Sequence, residues 1–151
     1  MIARIGFTGT RRGCTPAQYE RLLFVLRELR VNTANMEHEL HHGDCIGADA
    51  DAHTLWAEPS TTILHPPMDD SKRAYCLVPL ENKHAPKPYL RRNEDIVDST
   101  DILVACPSGK REARRSGTWA TIRYARRKQR KIIVIFPDGS FRIEKPIVAT
   151  R

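Results

Sequence analysis

Short apolar runs bounded by glycine, proline or hydroxyl-rich turns alternate along this chain with segments of helical periodicity. Ala3 to Phe7 reads as a strand, and Thr8-Gly9-Thr10-Arg11-Arg12-Gly13 as the turn that ends it. Thr15 then serves as an N-cap with Pro16 at the first helical position, and Tyr19, Leu22, Leu23, Leu26 and Leu29 recur at helical spacing. The pattern repeats with a strand near Glu39 to His42, the turn Gly43-Asp44-Cys45-Ile46-Gly47-Ala48-Asp49, and a helix carried on to Pro59. A third strand, Thr61 to Leu64, stops at His65-Pro66-Pro67, because proline cannot continue a ladder. Residues 68–88 show little periodicity and read as a long loop or flap, of a length that in a compact domain often serves function. Tyr89 to Val97 reads as a helix leading into the strand Ile102 to Ala105. A helix from about Ser116 to Gln129 leads into the strand Ile132 to Phe136, and Phe141 to Ile143 is short enough for an edge strand. Strands that alternate with helices require a mostly parallel sheet covered on both faces, since each crossover is right-handed. The expected fold is therefore α/β, a single Rossmann-like domain over 1–151 with about five strands and helices on both faces.

The length of 151 residues suits one domain with a sizeable core. The N-terminus enters a strand directly, with no charged leader followed by an apolar stretch, and no run reaches the length of a membrane span. The expectation is a cytoplasmic protein that does not engage a membrane. Cys14, Cys45, Cys76 and Cys106 form no Cys-x-x-Cys pair and read as reduced packing thiols. His38, His41 and His42 cluster without metal-ligand spacing, so neither a metal nor another cofactor is expected.

The turn between the fourth strand and its helix, Ser116-Gly117-Thr118, points to chemistry. Free N–H groups and the positive end of the macrodipole at a helix start form an anion site. From Lys110 to Lys131 there are ten basic residues against one acid, Glu112, so this segment carries +9; the whole chain carries +7, and the remainder sums to −2. The basicity is local, which implies an anionic ligand or partner, the rival reading being a solvated face that confers solubility. In a parallel sheet ligands sit beyond the carboxyl ends of the strands at the switch point, where all three of these loops converge.

On this reading Ser116, Gly117 and Thr118 with their N–H groups hold a phosphate that Arg115 or Arg114 screens, the rival role being a plain N-cap. Gly9 and Thr10 let the first loop approach closely, with Arg11 or Arg12 as a second anion contact. Two roles are open to Asp44, a helix cap or a contact to a ribose hydroxyl. Asp49 sits in a first helical turn, where the dipole favours a negative charge whatever its function. Arg92 either enters the cleft or bridges Glu94 or Asp98 across its own helix. Trp119 is either core or a platform for a base.

Gly6-Phe7-Thr8-Gly9-Thr10-Arg11, Gly43 to Asp49, Arg92-Asn93-Glu94-Asp95-Ile96-Val97 and Ser116-Gly117-Thr118-Trp119-Ala120-Thr121 together resemble the SMF/DprA-LOG (SLOG) superfamily over nearly the whole chain. The resemblance implies a Rossmann-like domain that binds nucleotides or nucleotide-derived ligands. It also implies a site that includes Thr8, Gly9, Thr10, Arg11, Gly43, Asp44, Gly47, Ala48, Asp49, Arg92, Asn93, Arg115, Ser116, Gly117, Thr118, Trp119 and Thr121. The last turn resembles the Ser-Gly-Ser-Leu-x-Thr-Ala of the DNA-processing branch. In the LOG branch the matching turn ends in a glutamate used at the glycosidic bond, and here that position is Thr121. The expectation is thus a nucleotide sensor or an N-glycosidic hydrolase of nucleoside monophosphates, with Asp44 or Glu94 as the carboxylate if it cuts. The alternative is single-stranded nucleic-acid binding through 110–131. A homo-oligomer is open, and so is a structural subunit that docks an acidic partner through its basic helix.

Overall fold

In the computed structural model, which describes residues 1–146, the chain runs β1 (Ile2–Gly9), α1 (Pro16–Asn32), β2 (Glu37–His42), α2 (Ala48–Trp56) and β3 (Thr62–Leu64), then α3 (Tyr89–Asp98), β4 (Ile102–Cys106), α4 (Gly117–Arg127), β5 (Lys131–Ile135) and β6 (Phe141–Glu144). Residues 147–151, the end of the expected 1–151 domain, lie outside the described part. The strands form one sheet in the order β3-β2-β1-β4-β5-β6, parallel from β3 through β5, with β6 antiparallel against β5. This is a single α/β domain with a Rossmann-like sheet. Six strands form it rather than about five, because the short run after the turn at 137–140 does pair as an edge.

Side-chain alternation explains the layering. On β4 and β5, Val104, Cys106, Ile133 and Ile135 face one side, where they meet Leu22, Val25 and Leu26 of α1 and Ala48, Ala52 and Trp56 of α2. Leu103, Ala105, Ile132 and Val134 face the other, against Val97 of α3 and Trp119, Ile122 and Ala125 of α4. Strands covered on both faces have no polar side, which is why these two runs are continuously apolar in the sequence.

Local signals set the helix ends. Thr15 and Gln18 form a reciprocal capping box at the head of α1, with Pro16 inside the first turn. The α2 helix stops at Trp56, short of Pro59, because Ala57 turns left-handed (φ 58°). The flap at 68–88 contains no α-helix. It has short 3-10 turns at Asp70–Lys72 and Leu80–Asn82, and is pinned along its length by bridges from Cys45 to Arg73, Leu64 to Lys83 and Pro67 to Lys87. Among the described residues, no helix is long and apolar enough to cross a membrane.

Candidate functional site

β1 and β4 lie side by side at the centre of the sheet, yet β1 continues towards α1 on one face and β4 towards α4 on the other. Their outgoing loops therefore diverge, and a cleft of about 560 Å³ opens between them. One wall is Gly9, Thr10, Arg11 and Arg12; the other is Ser108 and Arg115 to Thr118; Ile46 and Lys72 close the rim and Tyr89 lies at the base. Among the described residues, no Asp, Glu, His or Cys lines this space.

The second wall is the head of α4. The Ser116 hydroxyl accepts from the Trp119 N–H at 3.2 Å, the arrangement of an N-cap. Among the described residues no protein acceptor takes the N–H groups of Gly117 and Thr118, which are the first two of the helix and stand at the cleft. A Cβ at Gly117 would collide with the Tyr89 hydroxyl, so a side chain there requires the Tyr89 ring to shift.

The opposite wall is set by contact between the first two loops. Gly47 has φ 96° and packs its Cα face on the Arg11 backbone, so a side chain would be excluded by conformation and by space alike. Next to it the Ala48 N–H donates to the Thr10 carbonyl at 2.9 Å. Beneath the cleft, Thr8, Gly43, Asp49, Arg92 and Asn93 surround a gap of about 20 Å³. Arg92 is buried there, donating to the carbonyls of Gly43 (2.6 Å) and His65 (3.2 Å) and to Asn93 Oδ1 (2.8 Å). Its role is to tie α3 under the second loop; it bridges neither Glu94 nor Asp98. Burial raises the Asp49 carboxyl to about 6, opposed by the Arg92 guanidinium and by the N–H groups of Cys45 and Gly43.

Several expected residues sit elsewhere. Asp44 is fully buried at φ 52°, and its carboxylate is engaged by the Arg73 guanidinium (2.9 and 2.8 Å) and the Cys76 N–H (2.8 Å). It fastens the flap; it neither caps α2, whose cap is Gly47, nor faces the cleft. Glu94 lies on a separate shallow groove with Leu90, Ala120, Tyr124 and Arg127. Trp119 is core, 2% exposed, and Thr121 turns its hydroxyl back to the Gly117 carbonyl at 2.8 Å. Lys72, Tyr89, Ile46 and Ser108 line the cleft without having been singled out. Ile46 lies within the turn Gly43 to Asp49 and Lys72 within the flap, both marked in the sequence as segments rather than residues, and Tyr89 is the first residue of a helix placed just before the Arg92-Asn93 pair.

The basic segment is partly neutralised by the fold. Arg126 pairs with Glu112 and Glu144, Arg123 with Glu112, Lys110 with Asp138, and Arg130 donates to the carbonyls of Val97 and Thr100. Among the described residues Arg111, Arg114 and Arg115, in the loop leading into α4, enter no ion pair, and neither do Arg11 and Arg12.

Two hydrogen-bonded histidine pairs, His41–His65 and His42–His53, lie apart from the cleft lining. His41 joins Glu39 (3.0 Å) and His65 (2.9 Å), and His65 stacks on His84 of the flap. Ligand atoms of His42, His53 and Cys76 lie within 4.8 Å of one another. The Asp44 N–H donates to His42 Nδ1 at 2.9 Å, so the neutral ring carries its proton on Nε2 and donates to His53 Nδ1 at 3.0 Å. Burial, then Asp44, pushes the Cys76 thiol up to about 12. His42 and His53 thus form a hydrogen-bonded pair, with the Cys76 sulfur beside them.

No family model matches the chain, and no curated protein matches it. Among solved structures it is similar to TM1055, a structural-genomics target determined by X-ray crystallography, with a TM-score of 0.57 and 13% identity over 86% of this chain and 72% of that one. At that identity the likeness establishes the α/β architecture, and the fold alone.

Proposed function

We propose that this protein binds a nucleotide or nucleotide-derived ligand in the cleft between the β1 and β4 loops, with a phosphate at the head of α4, and that it holds this ligand rather than cutting it. The observation that carries the reading is the lining itself. Two unpartnered helix N–H groups and the residues Arg11, Arg12, Lys72 and Arg115 line one space, and among the described residues no carboxylate lines it. Free N–H groups at a helix start and convergent guanidinium groups are the two standard ways of holding phosphate. The resemblance to the SLOG superfamily supports the nucleotide class.

Catalysis at a glycosidic bond needs an acid and a base or nucleophile within reach of the sugar. Asp44 is taken up by Arg73, Glu94 lies on another groove, and Asp49 is buried in the small gap beneath, accepting from the Cys45 N–H beside Arg92. Binding without turnover fits this geometry better. The test is calorimetry with nucleoside monophosphates, cyclic nucleotides and ADP-ribose derivatives, together with chromatography for released base. A dissociation constant in the micromolar range for at least one compound, weakened at least tenfold in Arg115→Gln, with no base released, is the expected result. Absence of binding across the panel would end the proposal.

A second reading has its own observation. The unpaired Arg111, Arg114 and Arg115 run on from the cleft to the surface and could follow a single-stranded nucleic acid. That reading requires a steep fall of oligonucleotide affinity with salt.

A further inference from the structure

We infer that the ligand of this cleft carries a diphosphate, as a nucleoside diphosphate, and not a single phosphate; this rests on the phosphate-binding reading above. Cations enter the cleft from three separate segments: Arg11 and Arg12 from the loop after β1, Lys72 from the flap, and Arg115 from the loop after β4. None of the three arginines enters an ion pair among the described residues, and Lys72 has only the exposed Asp69 at 3.7 Å. Among the described residues, no acidic side chain lines the space to offset them.

A phosphomonoester brings a charge of roughly −1.5 to −2 at neutral pH and would leave about half of this positive charge facing itself in a shared cavity. A second phosphate supplies the missing charge and the missing reach. The cations stand on opposing walls, and a single phosphate seated on the N–H groups of Gly117 and Thr118 with Arg115 occupies one wall only. The diphosphate would span from that seat to Arg11, Arg12 and Lys72.

The nucleoside has its own place. Ile46 and Tyr89 are the apolar surfaces of the cleft, 45% and 40% exposed, and the Arg92 guanidinium lies 5.3 Å from the centre of the Tyr89 ring. A volume of about 560 Å³ lies within the range of pockets that enclose a small organic ligand, and exceeds what a bare inorganic anion fills.

The experiment is calorimetry in magnesium-free buffer with ADP, GDP, CDP and UDP, each against its own monophosphate, and with inorganic pyrophosphate and a short single-stranded oligonucleotide. At least one diphosphate should bind ten times or more tighter than its monophosphate and than pyrophosphate. That ratio should fall to about one in Arg12→Gln and in Lys72→Gln, two partly or fully exposed positions, with circular dichroism confirming the fold. Restoration of the ratio in Arg12→Lys would show that charge is what counts. Equal affinity for each mono- and diphosphate overturns the inference and leaves the phosphate-binding cleft standing. Pyrophosphate bound as tightly as any nucleotide, or the oligonucleotide bound tightest, also overturns it. No binding by any compound defeats both.

Discussion

Gly117 and Tyr89 define the cleft at the level of single residues. The Tyr89 hydroxyl takes the space beside Gly117 that a methyl group would need, so the two residues hold the first turn of α4 against the start of α3. Gly117→Ala forces one of them to move and turns the free N–H groups away from the cleft. Phosphate-ligand affinity should then drop at least tenfold while the melting temperature falls by only a few degrees, and Tyr89→Ala combined with Gly117→Ala should recover part of the affinity. Unchanged affinity in Gly117→Ala would show that the head of α4 is not the seat. Glycine at this position could be foreseen as a turn residue, but not its reason, since nothing in the order of residues tells that a tyrosine hydroxyl 28 positions earlier presses on it. Trp119 and Thr121 were ambiguous for a related cause. The first turn of α4 serves both core and cleft: Thr118 lines the cleft, while Trp119 and Thr121 are buried.

Among elements, the flap at 68–88 depends on one buried ion pair. Asp44 holds Arg73 and the Cys76 N–H, while its own carbonyl accepts from the Ala74 N–H at 2.8 Å and Lys72 accepts from the Ile46 N–H at 3.0 Å. Removing one partner of a buried pair typically costs 3–5 kcal/mol, because the other charge stays buried and unpaired. Asp44→Ala should therefore lower stability by about 3 kcal/mol in urea unfolding and weaken the ligand as well, since Lys72 is placed by the same latch. A loss below about 1 kcal/mol would mean that the flap is held by its other bridges. The strands and helices were legible in advance because apolar periodicity and capping residues act locally, as Thr15, Pro16 and Ser116 do. The flap was not, because Asp44 and Arg73 meet across 29 positions and short 3-10 turns leave no periodic trace. Lys72 entered the site through that latch, and for the same reason went unnoticed.

For the whole molecule, buried titratable groups set the response to acid. Burial holds His42 down to about 3 and His65 to about 2, and lowers His41 despite Glu39 beside it. Facing them are His53 and Arg92 around His42, and His84, Arg92 and Glu39 around the His41–His65 pair. The unfolded chain takes up protons on these rings below about pH 6.5 while folded His42 and His65 do not, so each of these two removes about 1.4 kcal/mol of stability per pH unit as pH falls from there, and His41 acts in the same direction. Asp49 acts in the opposite sense: its folded value of about 6 lies above the ordinary 3.8, so its contribution is full below 3.8 and is lost as pH rises through 6. One carboxyl against three imidazoles leaves a net loss, and the urea midpoint should fall steadily from pH 7 to pH 4.5. A flat midpoint over that range would show that the rings charge in place. The sheet's direction bears on handling too. Its parallel strands all end at the rim that carries the cleft, whereas β6 runs back, so Met1 and residue 146 both emerge at the opposite rim. A tether, dye or fused domain joined at either of these points leaves the cleft unobstructed, which makes the fold suited to surface immobilisation without loss of ligand access.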